Sequence, residues 1–267
     1  MSRIKQTFAN LEKTGRKALI PFVTAGDPDL ETTVDIVMAM EKAGADLIEL
    51  GIPFSDPMAD GPTIQASSER ALQQGTTLSA VIEVVRRVRR QSSIPLVLMG
   101  YYNPVLHYGN ERFARDAAAA GIDGLLMVDL PPEEAAELQQ HLQPVGIDLI
   151  TLLAPTTPPG RRAALAAVAE GYIYYVSMTG VTGTQAVDAA GIEAEVCDLK
   201  QISPVPVAVG FGINTPTDAR NIARFADAVV VGSALVKIIA TSLPDERIQQ
   251  VGTFVRSLRE AIDHSAD

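Results

Sequence analysis

The sequence predicts a (β/α)8 barrel of the TIM type, with an N-terminal helix and extra short helices added to the repeat. Three observations carry that prediction. Short apolar, β-rich runs alternate with amphipathic stretches, and the cycle repeats about eight times along the chain. Most of the runs are apolar almost throughout, as strands covered on both faces must be. The chain has 267 residues and 47% hydrophobic content, enough for one large domain over residues 1–267, and no linker or low-complexity tract divides it.

The first strand is Ala18 to Thr24, and the helix behind it sets Val34, Val37, Met38 and Glu41 on one stripe. The second strand runs from Asp46 to Gly51 and the third from Ile94 to Met99. Between them a helix ends in Arg86-Arg87-Val88-Arg89-Arg90, where cations suit the helix dipole, and the cluster reads as a solvated face. Ala117 to Ala120 stops at Gly121, a helix C-terminus with its stop signal, ahead of the fourth strand, Gly124 to Val128. The fifth strand is Asp148 to Leu152, the sixth Ile173 to Ser177, the seventh Pro206 to Gly210 and the eighth Ala228 to Val231. The last helix places Ile248, Val251, Val255, Leu258 and Ile262 at helical spacing, a core face without functional message.

A net charge of −10 opposes nucleic-acid binding. No basic N-terminal region leads into an apolar stretch with a cleavage site, and no apolar run of about 18 residues could span a bilayer. The expectation is a cytoplasmic protein. The single cysteine, Cys197, cannot form an internal disulfide and reads as a small core residue of a helix.

In such a barrel the site lies at the C-terminal ends of the strands. Glu49 lies near the end of the second strand inside an apolar run, and Asp60 follows in a loop punctuated by Pro and Gly. Each has a structural explanation available, an ion pair for Glu49 and an ordinary Asp-Gly-Pro turn for Asp60. Two carboxylates close together instead make a proton-transfer site, with desolvation raising the pKa of Glu49 so that it can donate a proton and later accept one. Tyr101, Tyr102 and Asn103 follow the third strand, and Asp129 follows the fourth. The small residues from Ser177 to Thr184 suit a lid. Together with Gly210-Phe211-Gly212 and Gly232-Ser233-Ala234 they give three glycine-containing loops at one corner, either tight turns or a cradle of backbone N–H groups for a phosphate.

Residue supply excludes several chemistries. The lysines, at 5, 13, 17, 42, 200 and 237, fall in helices or ahead of a strand, which argues against a Schiff-base aldolase. His107, His141 and His264 are scattered, so no metal is expected. There is no Gly-x-Gly-x-x-Gly turn and no Walker loop. Acid/base chemistry on a phosphorylated small molecule remains.

Pro21 to Pro28, Glu49 to Pro62, Tyr101 to Pro104, Gly180 to Gly183, Gly210 to Ile213 and Gly232 to Ala234 together closely resemble the tryptophan synthase alpha subunit. The segments span nearly the whole chain in matching order. The resemblance implies reversible retro-aldol cleavage of indole-3-glycerol phosphate to indole and glyceraldehyde 3-phosphate, without a cofactor in this chain. Glu49 would be the general acid/base and Asp60 would hold the indole N–H. Phe22, Met99, Tyr101, Leu126, Val128, Tyr174 and Thr182 would contact substrate. Gly183, Phe211, Gly212, Gly232 and Ser233 would bind phosphate. Some members carry an arginine where this chain has Met178. The implied partner is the pyridoxal-phosphate-dependent beta subunit in an alpha2beta2 complex, contacted through Pro53, Asp56, Pro57, Met58, Asn103 and Pro104. A stand-alone indole-releasing lyase, another phosphate-binding barrel and a non-catalytic subunit are the alternatives, and the paired carboxylates argue against the last two.

Overall fold

The computed structural model describes residues 2–176, 189–210 and 212–265, with the backbone alone for 189–191. Its strands are β1 (Ala18–Thr24), β2 (Ile48–Gly51), β3 (Leu96–Gly100), β4 (Gly124–Met127), β5 (Asp148–Leu153), β6 (Glu170–Val176), β7 (Val207–Gly210) and β8 (Ala228–Val231). They close into one barrel in chain order, every neighbouring pair parallel. Helix α1 (Arg3–Lys13) precedes β1. The outer ring follows as α2 (Leu30–Lys42), α3 (Pro62–Gln73), α4 (Leu78–Arg89), α5 (Tyr102–Tyr108), α6 (Asn110–Ala120) and α7 (Ala136–Leu142), then α8 (Pro159–Ala167), α9 (Ala189–Ile202), α10 (Pro216–Ala223), α11 (Ser233–Thr241) and α12 (Pro244–Asp263). The predicted barrel, its N-terminal helix and its extra helices are all present. β1 and β8 keep their predicted bounds and the others shift by up to three residues; Ser177, the expected end of the sixth strand, lies outside the described residues.

Strand geometry sends alternate side chains inward and outward, and both sets are buried. The outward set packs with the helix ring. The inward set includes Ile20, Leu47, Val97, Leu126, Ile150, Tyr172, Tyr174 and Val230, and it is continuous with Ile4, Phe8 and Leu11 of α1. α1 therefore plugs the N-terminal end of the barrel with one apolar stripe. Burying each of those three side chains stabilises the chain by about 1.5–3 kcal/mol. Gly124 admits the plug, since a Cβ there would lie 3.1 Å from Ile4 Cδ1.

Four acids fasten the strands at that same end. Asp46 Oδ2 accepts from Leu19 N at 2.9 Å, Asp123 Oδ2 from Leu96 N at 2.9 Å, Glu170 Oε2 from Leu149 N at 3.1 Å and Asp227 Oδ2 from Val207 N at 3.1 Å. Each acid at the start of an even-numbered strand thus takes the backbone donor of the odd-numbered strand before it. This explains why β2 begins at Ile48 rather than at Asp46, whose side chain replaces a ladder bond. The partners complete the charge balance: Arg259 on Asp46, Arg89 and Arg3 on Asp123, Lys200 and Lys17 on Asp227.

Two sequence expectations are corrected here. Arg89 is no part of a solvated face: its side chain is 11% exposed and also donates to the carbonyls of Gly121 and Ile94. Its long stem lets a residue from a helix end reach under the neighbouring strands. Cys197 is exposed rather than in the core, because the helical period of α9 turns its neighbours Val196 and Leu199 inward instead.

Replacing Asp123 leaves the Leu96 N–H without its acceptor and the half-buried Arg89 guanidinium without its counter-ion. Asp123→Ala should therefore lower the unfolding free energy by about 3 kcal/mol in urea titrations. A loss below about 0.5 kcal/mol would mean that the clamp contributes nothing beyond a surface ion pair.

Candidate active site

The C-terminal mouth of the barrel gathers the chemistry. Glu49 is central in β2, in register with Phe22 of β1 on one side and Val97 of β3 on the other. The pleat turns it inward, and it is 0% exposed. Oε1 accepts a hydrogen bond from the Tyr172 hydroxyl at 2.6 Å, while Oε2 has no partner among the described residues. Desolvation pushes its pKa up to about 8, against the smaller opposing effect of the Tyr172 bond. At neutral pH the group is therefore a neutral acid. With Oε1 engaged by Tyr172, Oε2 is the oxygen open to exchange a proton with a ligand.

Asp60 stands at the end of the loop between β2 and α3, immediately before the helix N-cap Gly61 and Pro62 at its first turn. Gln65 Nε2 donates to the Asp60 carbonyl at 2.7 Å. Burial raises the carboxyl pKa to about 6, opposed by a hydrogen bond from the Tyr101 hydroxyl. The same hydroxyl accepts from Ala59 N at 3.0 Å, and its ring stacks on Phe54 with centroids 5.3 Å apart. Between about pH 6 and pH 8, then, Glu49 is neutral while Asp60 is anionic. The two environments hold one acid and one base apart at a single pH.

Both carboxyls line a cleft of about 490 Å³, counting its part open to solvent, with Phe22, Met99 and Tyr174 and, at the far end, Gly212, Asn214, Gly232 and Ser233. Close approach shapes it at two glycines. A Cβ on Gly51 would lie 2.6 Å from Phe22 Cζ, so glycine lets that ring lie across the site. A Cβ on Gly210 would lie 2.0 Å from the Tyr174 oxygen, so glycine makes room for the phenol. At the far end α11 begins at Ser233 with no side chain capping it, leaving first-turn N–H groups and the positive dipole end for an anion. An adjoining cleft shares Phe22, Asp60, Ile64 and Met99 and adds Tyr101 and Val128.

The structure brings Phe22, Glu49, Asp60, Met99, Tyr174, Gly212, Gly232 and Ser233 to one cleft, with Tyr101 and Val128 beside it. Leu126 is buried in the barrel core and lines neither cleft. Thr182, Gly183, Phe211 and Met178 lie outside the described residues. Of the expected partner contacts, Met58 is 78% exposed, Asp56 and Asn103 are exposed, Pro57 and Pro104 are half-buried, and Pro53 is buried within the chain. Asp129 serves α5, accepting from Tyr102 N at 2.7 Å. Sequence reasoning missed Tyr172, which shares the inward phase of Tyr174 at a spacing of two, and Ile64, one turn into the helix after Asp60. Among the described residues no cluster of His, Cys, Asp and Glu could hold a metal ion.

A family model described as "Tryptophan synthase alpha chain" matches residues 8–263. The tryptophan synthase alpha chain of Citrifermentans bemidjiense is 56% identical over 262 residues, covering 98% of this chain and 98% of the relative. That of Geobacter sulfurreducens is 55% identical over 262 residues, covering 98% and 99%. Among solved structures, the alpha subunit from Legionella pneumophila superposes with a TM-score of 0.92 at 42% identity, covering 98% of this chain and 99% of that one. A chain of Mycobacterium tuberculosis tryptophan synthase in its aminoacrylate-bound form superposes with a TM-score of 0.88 at 34% identity, covering 98% and 100%.

The Glu49 environment has a stability signature. Its folded pKa of about 8 exceeds the ordinary 4.5, so between those values the unfolded chain releases a proton that the folded chain keeps. Rising pH therefore favours unfolding by about 1.4 kcal/mol per unit in that window, and the effect is flat above it. The difference in urea stability between the wild type and Glu49→Gln should follow this curve, and a pH-independent difference would show that Glu49 is ionised in the folded protein. Tyr172→Phe removes the bond that opposes the shift, so its curve should flatten at higher pH than the wild type's.

Proposed function

The chain belongs to the tryptophan synthase alpha chain family, and we propose that Glu49 and Asp60 carry the family's reaction here as acid/base and electrostatic partner. The protein is a carbon–carbon lyase of tryptophan biosynthesis, cleaving indole-3-glycerol phosphate to indole and glyceraldehyde 3-phosphate. The observation that carries the residue assignment is that two carboxyls from different elements line one cleft, with burial raising the pKa of Glu49 further than that of Asp60.

In this reading the indole ring lies against Phe22 and Met99, and the phosphate sits at Gly212, Gly232 and Ser233. Glu49 Oε2–H protonates indole C3, which places positive charge on the ring nitrogen. Asp60 accepts the N–H and stabilises that charge, an interaction worth several kcal/mol in a dry site (order of magnitude). Glu49, now a carboxylate, takes the proton of the hydroxyl on the carbon attached to C3. The bond between that carbon and C3 breaks, its electrons return to the indole ring, and the aldehyde forms. Glu49 ends neutral, as it began. Tyr172 keeps Oε1 occupied so that one oxygen does both transfers, and Tyr174, Val128 and Tyr101 complete the walls.

An alpha chain implies a beta-subunit partner. We read the assembly as alpha2beta2, with indole passed to the pyridoxal phosphate of the beta subunit and no cofactor in this chain. The exposed Met58 and Asp56, with Asn103, Pro57 and Pro104, support a docking surface beside Asp60, which Pro53 would underlie. The same reading treats residues 1–267 as one domain of a cytoplasmic enzyme. Among the described residues no helix is long and apolar enough to cross a membrane.

Indole release from indole-3-glycerol phosphate tests the reading. Glu49→Gln and Asp60→Asn should each lower kcat about a hundredfold or more. The wild-type profile should be a bell with limbs near 6 and 8, rising as Asp60 ionises and falling as Glu49 does. Asp56→Ala and Met58→Ala should blunt activation by the beta subunit while sparing the basal rate. Fast release with no response to the partner would favour a stand-alone lyase.

A further inference from the structure

Asp60 and Glu49 stand on different elements, joined by a loop in which Ser55, Asp56 and Met58 are exposed. The common reference is β1. Glu49 is in ladder register with Phe22 of β1, and α3, which begins two residues after Asp60, packs on the same strand. We propose that the Asp27–Arg70 ion pair is a positioning pair for the Asp60 carboxylate, holding α3 in fixed register on β1 so that Asp60 faces the site from a set place. The inference rests on the assignment of Asp60 above.

Arg70 presents two donors to one carboxylate, Nε to Oδ1 at 2.8 Å and Nη2 to Oδ2 at 2.7 Å. Asp27, three residues beyond the end of β1, is 3% exposed, so the acceptor is immobile within the barrel lip. A bidentate fork fixes direction as well as distance, which a lysine ammonium cannot do. It also neutralises both charges, so the pair acts on Asp60 through placement rather than through its field.

The rest of α3 and its end repeat the same attachment. One turn earlier, Ser67 Oγ meets Thr24 Oγ1 of β1 at 2.7 Å in a buried contact. Beyond its C-terminus, Thr76 packs on Gly26, where a Cβ would lie 2.0 Å from Thr76 Oγ1. At the N-terminus Ile64 packs with Phe22, and Gln65 holds the Asp60 carbonyl. Ser67 and Arg70, three apart, lie on one helix face, and the only bidentate bond of the set belongs to Arg70. A slide or roll of α3 therefore moves Asp60 while Glu49, fixed in the barrel ladder, stays.

The test uses the complex with the beta subunit and single-turnover and steady-state indole release from indole-3-glycerol phosphate. Arg70→Ala should lower kcat about tenfold with KM within about twofold, since a displacement of an ångström at a reacting group costs up to about a hundredfold. Arg70→Lys, keeping the charge without the fork, should recover only part of it. In an Asp60→Asn background Arg70→Ala should cost nothing further, because the group it positions is gone. A kcat unchanged in Arg70→Ala, or the same fold-loss in both backgrounds, would overturn the proposal and leave the pair a stabilising contact. Should Arg70→Ala fail to fold, Asp27→Asn and Arg70→Lys carry the same cycle. Full activity in Asp60→Asn alone would remove the Asp60 assignment and this inference together, whereas an inactive Asp60→Asn beside a fully active Arg70→Ala removes only the inference.

Discussion

A carboxyl group with no solvent exposure, in the wall of a closed barrel, is the constraint around which the rest of this structure is arranged. Glu49 makes a single hydrogen bond, to Tyr172, and leaves Oε2 without a protein partner among the described residues. Burying such a group ionised would cost several kcal/mol or more (order of magnitude), so the fold keeps it protonated instead. That choice defines the chemistry available: a neutral acid in an apolar wall, able to give a proton where water cannot compete. The remainder of the fold has to tolerate the expense, and the wholly buried inner and outer layers of the barrel supply the offsetting stability.

The two ends of the barrel treat acids in opposite ways. At the N-terminal end Asp46, Asp123 and Asp227 meet arginine and lysine side chains as well as backbone donors. At the mouth Glu49 and Asp60 meet the hydroxyls of Tyr172 and Tyr101, and neither has an ion-pair partner among the described residues. A cation beside Glu49 would oppose the desolvation and favour the carboxylate. A phenol orients the group while leaving desolvation in control. The stability of the scaffold and the reactivity of the mouth are thus assigned to different partners for the same residue type, which is why both can coexist in one barrel.

Much of this was legible in the sequence, for a physical reason. Strands buried on both faces must be apolar throughout, so the eight runs stood out, and a glutamate inside one of them was conspicuous because it is expensive. Boundaries were lost where a side chain does the work of the backbone, as at Asp46, whose carboxylate replaces the first rung of β2. Arg89 was misread because its fate depends on how far its stem reaches beneath neighbouring strands, and Cys197 because two apolar neighbours obscured the helical phase. Tyr172 required knowing which phase of β6 faces inward, and Gly210 beneath Tyr174 gives the cue: a phenol so large can turn into the barrel only where the next strand offers no side chain. The proton-transfer role of Glu49 was read from its burial, whereas the reaction itself and the role of Asp60 at the indole N–H came with the family resemblance, since two carboxylates alone are compatible with several reactions.

The network around Asp60 also explains how an event outside the cleft can act inside it. Tyr101 is the junction: it accepts from Ala59 N, stacks on Phe54 and hydrogen-bonds the Asp60 carboxylate. Ala59 and Phe54 belong to the loop whose tip, Met58, is exposed. On the proposed reading the beta subunit bears on this loop, and any shift of Ala59 or Phe54 must change the geometry of the Tyr101 hydroxyl. A tighter bond to Asp60 lowers its pKa and widens the pH range in which it is anionic; a looser one does the reverse. Because α3 is fixed on β1 by separate contacts, such a shift can alter the hydrogen bonding of Asp60 without dragging its backbone away from the site. One carboxylate is then held by a rigid attachment on one side and an adjustable one on the other. That arrangement allows a docked partner to tune a charge rather than having to assemble the site anew.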